Sequence, residues 1–319
     1  MTTVERARTQ ELHIAPIAGY LGAEIAGIDL RDNIDDTVAE ELRTALYRYK
    51  VLFFRDQPID HARQISFTRI FGPVTPAHPH RYSDKSPEGF GEILEVDSRT
   101  YAKRSGAKRY SYASHWHQDV TALQNPPAVT VLRGELVPAV GGDTIWTNLV
   151  AAYANLPTSL QTFLEGLYAE HRFGGREPRW VNGSESDTVT AETPIISEHP
   201  VVRVHPVTGE KILFVNPGFT SRIIDLSPRQ SDRILDLLFE EITDPAYSAR
   251  IRWTPDSIGV WDNRAVAHRA PADLDHLDVV RVLHRTTVEG DIPVGVDGGQ
   301  SRSVSGERFY SDETLATQR

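Results

Sequence analysis

The chain holds 319 residues, 39% of them hydrophobic and 24% charged, with a net charge of −10. That balance can build a sizeable core, offers nothing that reads as a nucleic-acid surface, and includes no apolar run of membrane-spanning length. There is no cysteine, so disulfides, zinc fingers and iron–sulfur clusters are excluded, and any metal must be held by histidine, carboxylate or backbone oxygen.

In chain order, residues 1–10, MTTVERARTQ, lack the apolar centre of a signal peptide and read as a disordered tail; the simplest compartment is the cytoplasm. Residues 11–31 mix short apolar runs with Gly19, Gly22 and Gly27 and suggest a hairpin. A helix is expected over 37–49, where Val38, Leu42, Ala45 and Leu46 share a face and Asp35 or Asp36 can cap the start. VLFFR (51–55) reads as a buried strand, and a second helix over 60–71 takes Asp60 as its cap. Strand-type composition then dominates at 92–98, 128–136 and 142–148. The segment 201–216 reads as a hairpin turning at Thr208-Gly209, and 249–263 as another strand–turn–strand unit turning at Pro255-Asp256. Between them, Ser227, Pro228 and Gln230 form a capping box with proline at the first helical position, and Ile234, Leu237 and Leu238 supply that helix's apolar face.

Two stretches lack periodicity, 79–91 with 99–114, and 172–198, and loops of that length read as lids or disordered segments. The first includes the basic run 99–113 with Lys103, Arg104, Lys108 and Arg109, read either as a solvated loop or as a lid that meets an anionic ligand. Many short strands, few helices and long loops predict a mainly β fold, a sandwich or jelly roll decorated by helices.

The stretch HWHQDVTA, 115–122, sets His115, His117 and Asp119 at alternate positions. On a strand these would share one face, so that His117 and Asp119 could chelate one ion. The triplet alone does not separate a ligand pair from a chance pattern. A third ligand must come from elsewhere. His13, His61, His171, His199 and His276 lie in polar or turn-like sequence that names no partner, whereas His268 follows the strand-like IGVWD. Two histidines and one carboxylate would make the facial triad that leaves positions open on non-haem Fe(II).

Taken in order, WHQDVT with PP at 126–127, GGDTIWTN (141–148), WDNRAVAH (261–268) and RVLHRTTVEGD (281–291) resemble the taurine and alkylsulfate dioxygenase branch of the Fe(II)/2-oxoglutarate oxygenases. The resemblance covers roughly residues 11–300, which implies one catalytic domain there and a C-terminal extension over 301–319. It implies a double-stranded β-helix of jelly-roll or cupin type with decorating helices and lid loops. It further implies that His117, Asp119 and His268 hold Fe(II), that Thr144 and Arg281 bind the distal carboxylate of 2-oxoglutarate, and that His78, Val120, Phe219 and Arg285 line the substrate pocket. An arginine suits the carboxylate because its planar fork pairs bidentately. His115 is left as a rim or structural residue.

The chemistry implied is oxidation of an unactivated C–H with consumption of O2 and release of succinate and CO2. The presence of Asp119 points away from halogenation, which in related enzymes needs that ligand absent. His78 and Arg285 favour an anionic substrate such as a sulfonate, alkyl sulfate or carboxylate, although Gln118 and Ala122 depart from the threonine and phenylalanine usual in the sulfonate and sulfate enzymes. No nucleic-acid or membrane partner is expected, and the resemblance implies a homo-oligomer, a dimer or tetramer. Two other classes compete: a metal-dependent hydrolase, which would want a glutamate base that the motif lacks, and a non-catalytic jelly-roll binding protein, which would have no need of Thr144 and Arg281 beside the triad.

Overall fold

The computed structural model describes residues 11–79, 86–99, 112–173, 175, 194–274 and 276–317. The N-terminal tail, most of the basic run 99–113 with all four of its named cations, and most of 172–193 lie outside the described residues.

Val51–Phe54, VLFF, is buried at every position, and the reason sets the architecture. Alternate side chains of a strand point to opposite faces. Val51 and Phe53 face a second sheet, packing with Trp146, Ile251 and Val266. Leu52 and Phe54 face the first two helices, packing with Val38, Leu42, Leu46 and Phe67. The strand therefore lies in a sheet covered on both sides. That sheet has seven strands in the order His13–Pro16, Ala23–Ala26, Val51–Phe54, Ile258–Asp262, Val129–Leu136, Val282–Val288, Leu94–Asp97. All its neighbours are antiparallel except Ala23–Ala26 with Val51–Phe54. The N-terminal hairpin expected over 11–31 is present.

Three smaller sheets make the facing layer. Thr144–Asn148 runs between Ser248–Ile251 and Val266–Arg269. Tyr168–Arg172 runs between Thr220–Ile223 and Ile196–Pro200. Val202–Val204 pairs with Lys211–Leu213 as the hairpin expected there, and also with Val294–Gly295. The result is a jelly roll with helices outside it.

The caps follow the sequence. Asp35 accepts from Val38 N at the start of Asp36–Tyr49, Asp60 accepts from Arg63 N at the start of His61–Thr68, and the Ser227–Gln230 box opens Pro228–Ile242. Within that last helix the buried stripe is Ser231, Leu235, Leu238 and Ile242, at spacings of four and three, while Leu237 is 47% exposed. Leu237 is thus a correction: one residue along a helix rotates a side chain by about 100°, off the face that packs.

The strand–turn–strand unit expected over 249–263 is present, with its turn at Pro255-Asp256. Its two strands do not pair with each other. The turn at Pro255-Asp256, with Asp256 at φ 60°, carries the chain from the three-stranded sheet of Ser248–Ile251 across to the seven-stranded sheet of Ile258–Asp262. Asn263–Ala265 then carries it back to Val266–Arg269. These two crossings bring distant motifs together.

Candidate metal and co-substrate site

HWHQDVTA is not a strand. Only His117 joins the sheet system, as an isolated bridge to His268. His117 N donates to the His268 carbonyl at 3.0 Å and His268 N to the His117 carbonyl at 2.8 Å, so the two histidines are fixed to each other by backbone. Their rings lie 4.2 Å apart, centre to centre. His268 sits inside the Val266–Arg269 strand, not beyond a strand end. After His117 the chain breaks into turns, and Val120 takes φ 49°. A β-branched residue in the left-handed region is strained, so the chain turns sharply just after Asp119.

One ligand-capable atom from each of His117, Asp119 and His268 falls within 4.8 Å of the others, and all three residues are buried. His117 Nδ1 donates to the carbonyl of His115 at 2.7 Å, which leaves its lone pair on Nε2. That gives His115 a structural task through its backbone; burial, with His117 and Arg269 nearby, lowers its own imidazole to about 4. Burial likewise lowers His117, and lowers His268 to about 3. Burial acts the other way on Asp119, but Arg285 and the two imidazoles outweigh it and hold the carboxyl at about 2. Two neutral imidazoles and an ionised carboxylate are the protonation states that ligands must reach before they bind a metal. Two nitrogens and an oxygen suit a first-row divalent ion such as Fe(II), so the residues present fit the metal that the sequence implies.

Sequence reasoning named Arg285 for the substrate pocket but missed its hold on Asp119, and missed the other residues that hold this carboxylate. Its Oδ1 accepts from Arg285 Nη1 at 2.8 Å and its Oδ2 from Thr130 Oγ1 at 2.6 Å. Its backbone is clamped by the Asn263 side chain, which accepts from Asp119 N at 2.7 Å and donates to the Asp119 carbonyl at 3.2 Å and the Pro127 carbonyl at 2.9 Å. Gln118, fully buried, donates to the Asn263 carbonyl at 2.9 Å. Asn263 stood in the quoted motif; nothing in the sequence marked Thr130.

Gly142, two residues before Thr144, packs against Arg281. A Cβ on Gly142 would lie 2.8 Å from Arg281 Cδ, and one on Gly141 would lie 2.8 Å from Leu274 Cδ2. Gly141 and Gly142 also have positive φ, 80° and 71° respectively, so a side chain at either position of this turn would be strained. Asp273 holds it from above by accepting from Gly142 N at 2.9 Å. Thr144 Oγ1 accepts from Trp253 Nε1 at 2.9 Å, leaving the hydroxyl proton to donate to an anion. Trp253 can lie there because Gly259, against which its ring packs at 3.1 Å from a would-be Cβ, leaves the room.

Arg281 and Arg285 are four residues apart along one extended segment and so share a face, the inward one with Leu283. His284 points outward, where its carbonyl meets Gln64. Both arginines are largely buried, and Arg285 Nε has no hydrogen-bond partner among the described residues. Of the remaining expected pocket residues, Val120 and Phe219 pack in one cluster with Ala122, Leu123 and Ile195. Phe173 links that cluster to His78, with ring centres 5.3 Å from Phe219 and 6.1 Å from His78.

Comparison with known proteins bears on the reaction. Residues 13–287 match the family described as "Taurine catabolism dioxygenase TauD, TfdA family". The chain is 35% identical over 303 residues to an alpha-ketoglutarate-dependent sulfate ester dioxygenase of Pseudomonas putida, with 92% of this chain and 95% of the relative covered. It is 35% identical over 314 residues to an alkylsulfatase of Acinetobacter baylyi, with 95% and 93% covered. A taurine dioxygenase from Burkholderia xenovorans has a closely similar structure, at TM-score 0.79 and 38% identity over 93% of this chain and 95% of that one. The family is one of dioxygenases, which decides against the hydrolase and the non-catalytic binder. Because the match spans nearly the whole sandwich, the chain belongs to the TauD, TfdA family and is a 2-oxoglutarate-dependent oxidoreductase whose reaction uses Fe(II), 2-oxoglutarate and O2.

Proposed function

We propose that the enzyme oxidises a C–H of a small organic anion, a sulfate ester or sulfonate in the first instance, with His117, Asp119 and His268 as the iron ligands. The observation that carries this reading is that buried triad, with Arg285 bonded to its carboxylate and Arg281 on the same inward strand face. Iron and 2-oxoglutarate supply the oxidising chemistry when bound, with succinate and CO2 as the products of the co-substrate. The chain's own residues bind and orient. Arg281 takes the distal carboxylate of 2-oxoglutarate as a bidentate pair, and the Thr144 hydroxyl, already accepting from Trp253, donates to the same group. Arg285 keeps one nitrogen on Asp119 and offers its buried Nε–H side to the anionic head of the substrate, which His78 approaches from the other side. Val120 and Phe219 keep water from the reacting carbon. The names of the relatives support a sulfate ester or sulfonate; a carboxylate head would meet the same cations. We further propose one catalytic domain over 11–300 and a homo-oligomeric assembly. Among the described residues no helix is long and apolar enough to cross a membrane.

Anaerobic addition of Fe(II) and 2-oxoglutarate should give a visible metal-to-ligand charge-transfer band, and succinate should form in air with alkyl sulfates or sulfonates. His117→Ala, Asp119→Ala and His268→Ala should each abolish succinate release. Near wild-type turnover in any of the three would overturn the ligand assignment.

A further inference from the structure

The family match ends at residue 287, yet the chain beyond it is built into the sandwich beside the site. Arg302–Ser305 pairs antiparallel with Ile196–Pro200. Asn125, only 2% exposed, then grips Phe309 by both backbone atoms, donating to its carbonyl at 2.8 Å and accepting from its N–H at 2.9 Å. Gln124 donates to the Ser301 carbonyl at 2.9 Å and accepts from Arg308 Nε at 3.0 Å. Gln124 and Asn125 belong to the run of turns and bends that begins at Asp119. The C-terminal segment is therefore anchored to the same piece of backbone that presents the carboxylate ligand. Through this anchoring Phe309 packs on the cluster of Val120, Ile195 and Phe219.

The segment forms one side of a cleft of about 630 Å³ whose other side is Pro76, His78 and Pro79. Ile195, Phe309 and Leu315 give that cleft apolar surface, beside the charged Glu307, Arg308 and Asp312. A volume in this range suits a ligand much larger than a two-carbon sulfonate. His78, expected at the substrate's head, lines the same cleft as Phe309 and Leu315.

We propose that residues 305–315 form a tail-reading subsite. In it Phe309 and Leu315, with Ile195, bind the hydrocarbon tail of an anionic substrate whose head is held at Arg285 and His78. The proposal rests on the reading of the head-group site given above. It divides the labour along the chain: residues up to 287 hold iron, co-substrate and head group, and the appended segment selects the tail. Tail affinity then comes from apolar area removed from water, which grows with each methylene.

The test is anaerobic calorimetric titration of the Fe(II)- and 2-oxoglutarate-loaded enzyme with primary alkyl sulfates from ethyl to octyl. Wild-type affinity should climb with chain length. Phe309→Ser and Leu315→Ser should each cut the octyl-to-ethyl affinity ratio by about tenfold. Leu315, 39% exposed, keeps the test open should Phe309→Ser disturb the Asp119 turn. A flat wild-type profile, or ratios within about twofold of wild type in both variants, overturns the subsite. Succinate release by the wild-type enzyme is scored separately. Turnover with a wall blind to chain length removes the subsite alone, whereas tail selectivity without turnover on any sulfate or sulfonate keeps the subsite and removes the proposed reaction.

Discussion

Asn263 shows how a residue without chemistry of its own can set the chemistry of a neighbour. Its amide makes three hydrogen bonds, two to the backbone of Asp119 and one to Pro127, so the strained turn after Asp119 has one geometry. Residues that orient metal ligands typically change metal affinity by about 10–100-fold when removed. Asn263→Ala should weaken Co(II) or Fe(II) binding by that order, read by anaerobic titration of the metal without substrate; wild-type affinity would show that the clamp is idle. Arg281 gives the complementary case on the co-substrate. Losing a buried charge-assisted partner costs about 2–5 kcal/mol, so Arg281→Ala should raise the 2-oxoglutarate requirement by one or more orders of magnitude while the metal titration stays as it was. An unchanged 2-oxoglutarate dependence would move that role to Arg285. The sequence made the ligand types readable because, in a chain without cysteine, the side chains left for that task are histidine and carboxylate. It could not show Thr130 or Asn263 as supports, since a threonine or asparagine becomes one only when the sandwich sets it against Asp119.

At the scale of elements, periodicity told type and caps told where helices begin, but neither told what each element packs against. The Pro228–Ile242 helix illustrates this. Leu237 and Leu238 look equivalent in the sequence, and the structure buries Leu238 completely while leaving Leu237 47% exposed. Leu238 lies in a core with Ile212, Leu213 and Ile223. Truncating such a leucine costs about 2–5 kcal/mol through lost burial and the cavity left behind, whereas an exposed position away from special features stays within about 0.5 kcal/mol. Urea midpoints of Leu238→Ala and Leu237→Ala should therefore separate widely, and equal midpoints would mean that the helix docks in another rotation. The turn at Pro255-Asp256 carries a similar lesson. Its residues announce a reversal, but the two strands pass to opposite sheets, each pairing with partners more than 100 residues distant in sequence, which no local pattern contains.

For the whole molecule, the quoted motifs placed the jelly roll before its strands could be ordered; the strand order itself is a product of long-range pairing. The same long-range packing buries histidines that the sequence left without partners. His199 Nδ1 lies 2.7 Å from Ser301 Oγ and its Nε2 2.8 Å from the Thr121 carbonyl, while His171 Nδ1 lies 3.0 Å from Thr121 Oγ1. Both are completely buried against Phe214. Burial pushes His171 well below the usual imidazole range, and burial with Arg203 nearby pushes His199 to about 3. In the unfolded chain each titrates near about 6.5. Above that pH both are neutral in both states, and their contribution to stability is complete. As the pH falls below it, the unfolded chain takes up protons that the folded chain refuses, so stability is lost progressively down to the folded value, about 3 for His199. Each such histidine contributes a slope of about 1.4 kcal/mol per pH unit in that window. The depressed carboxyl of Asp119, at about 2, acts only below the ordinary carboxylate range, so between pH 6.5 and 5 the histidines dominate. Urea midpoints of the metal-free protein should therefore fall steadily from neutral pH toward pH 5, and His199→Gln, which removes one titrating group, should flatten the fall by about one proton's worth. A variant that loses stability with pH as steeply as wild type would show that His199 does not stay neutral in the core.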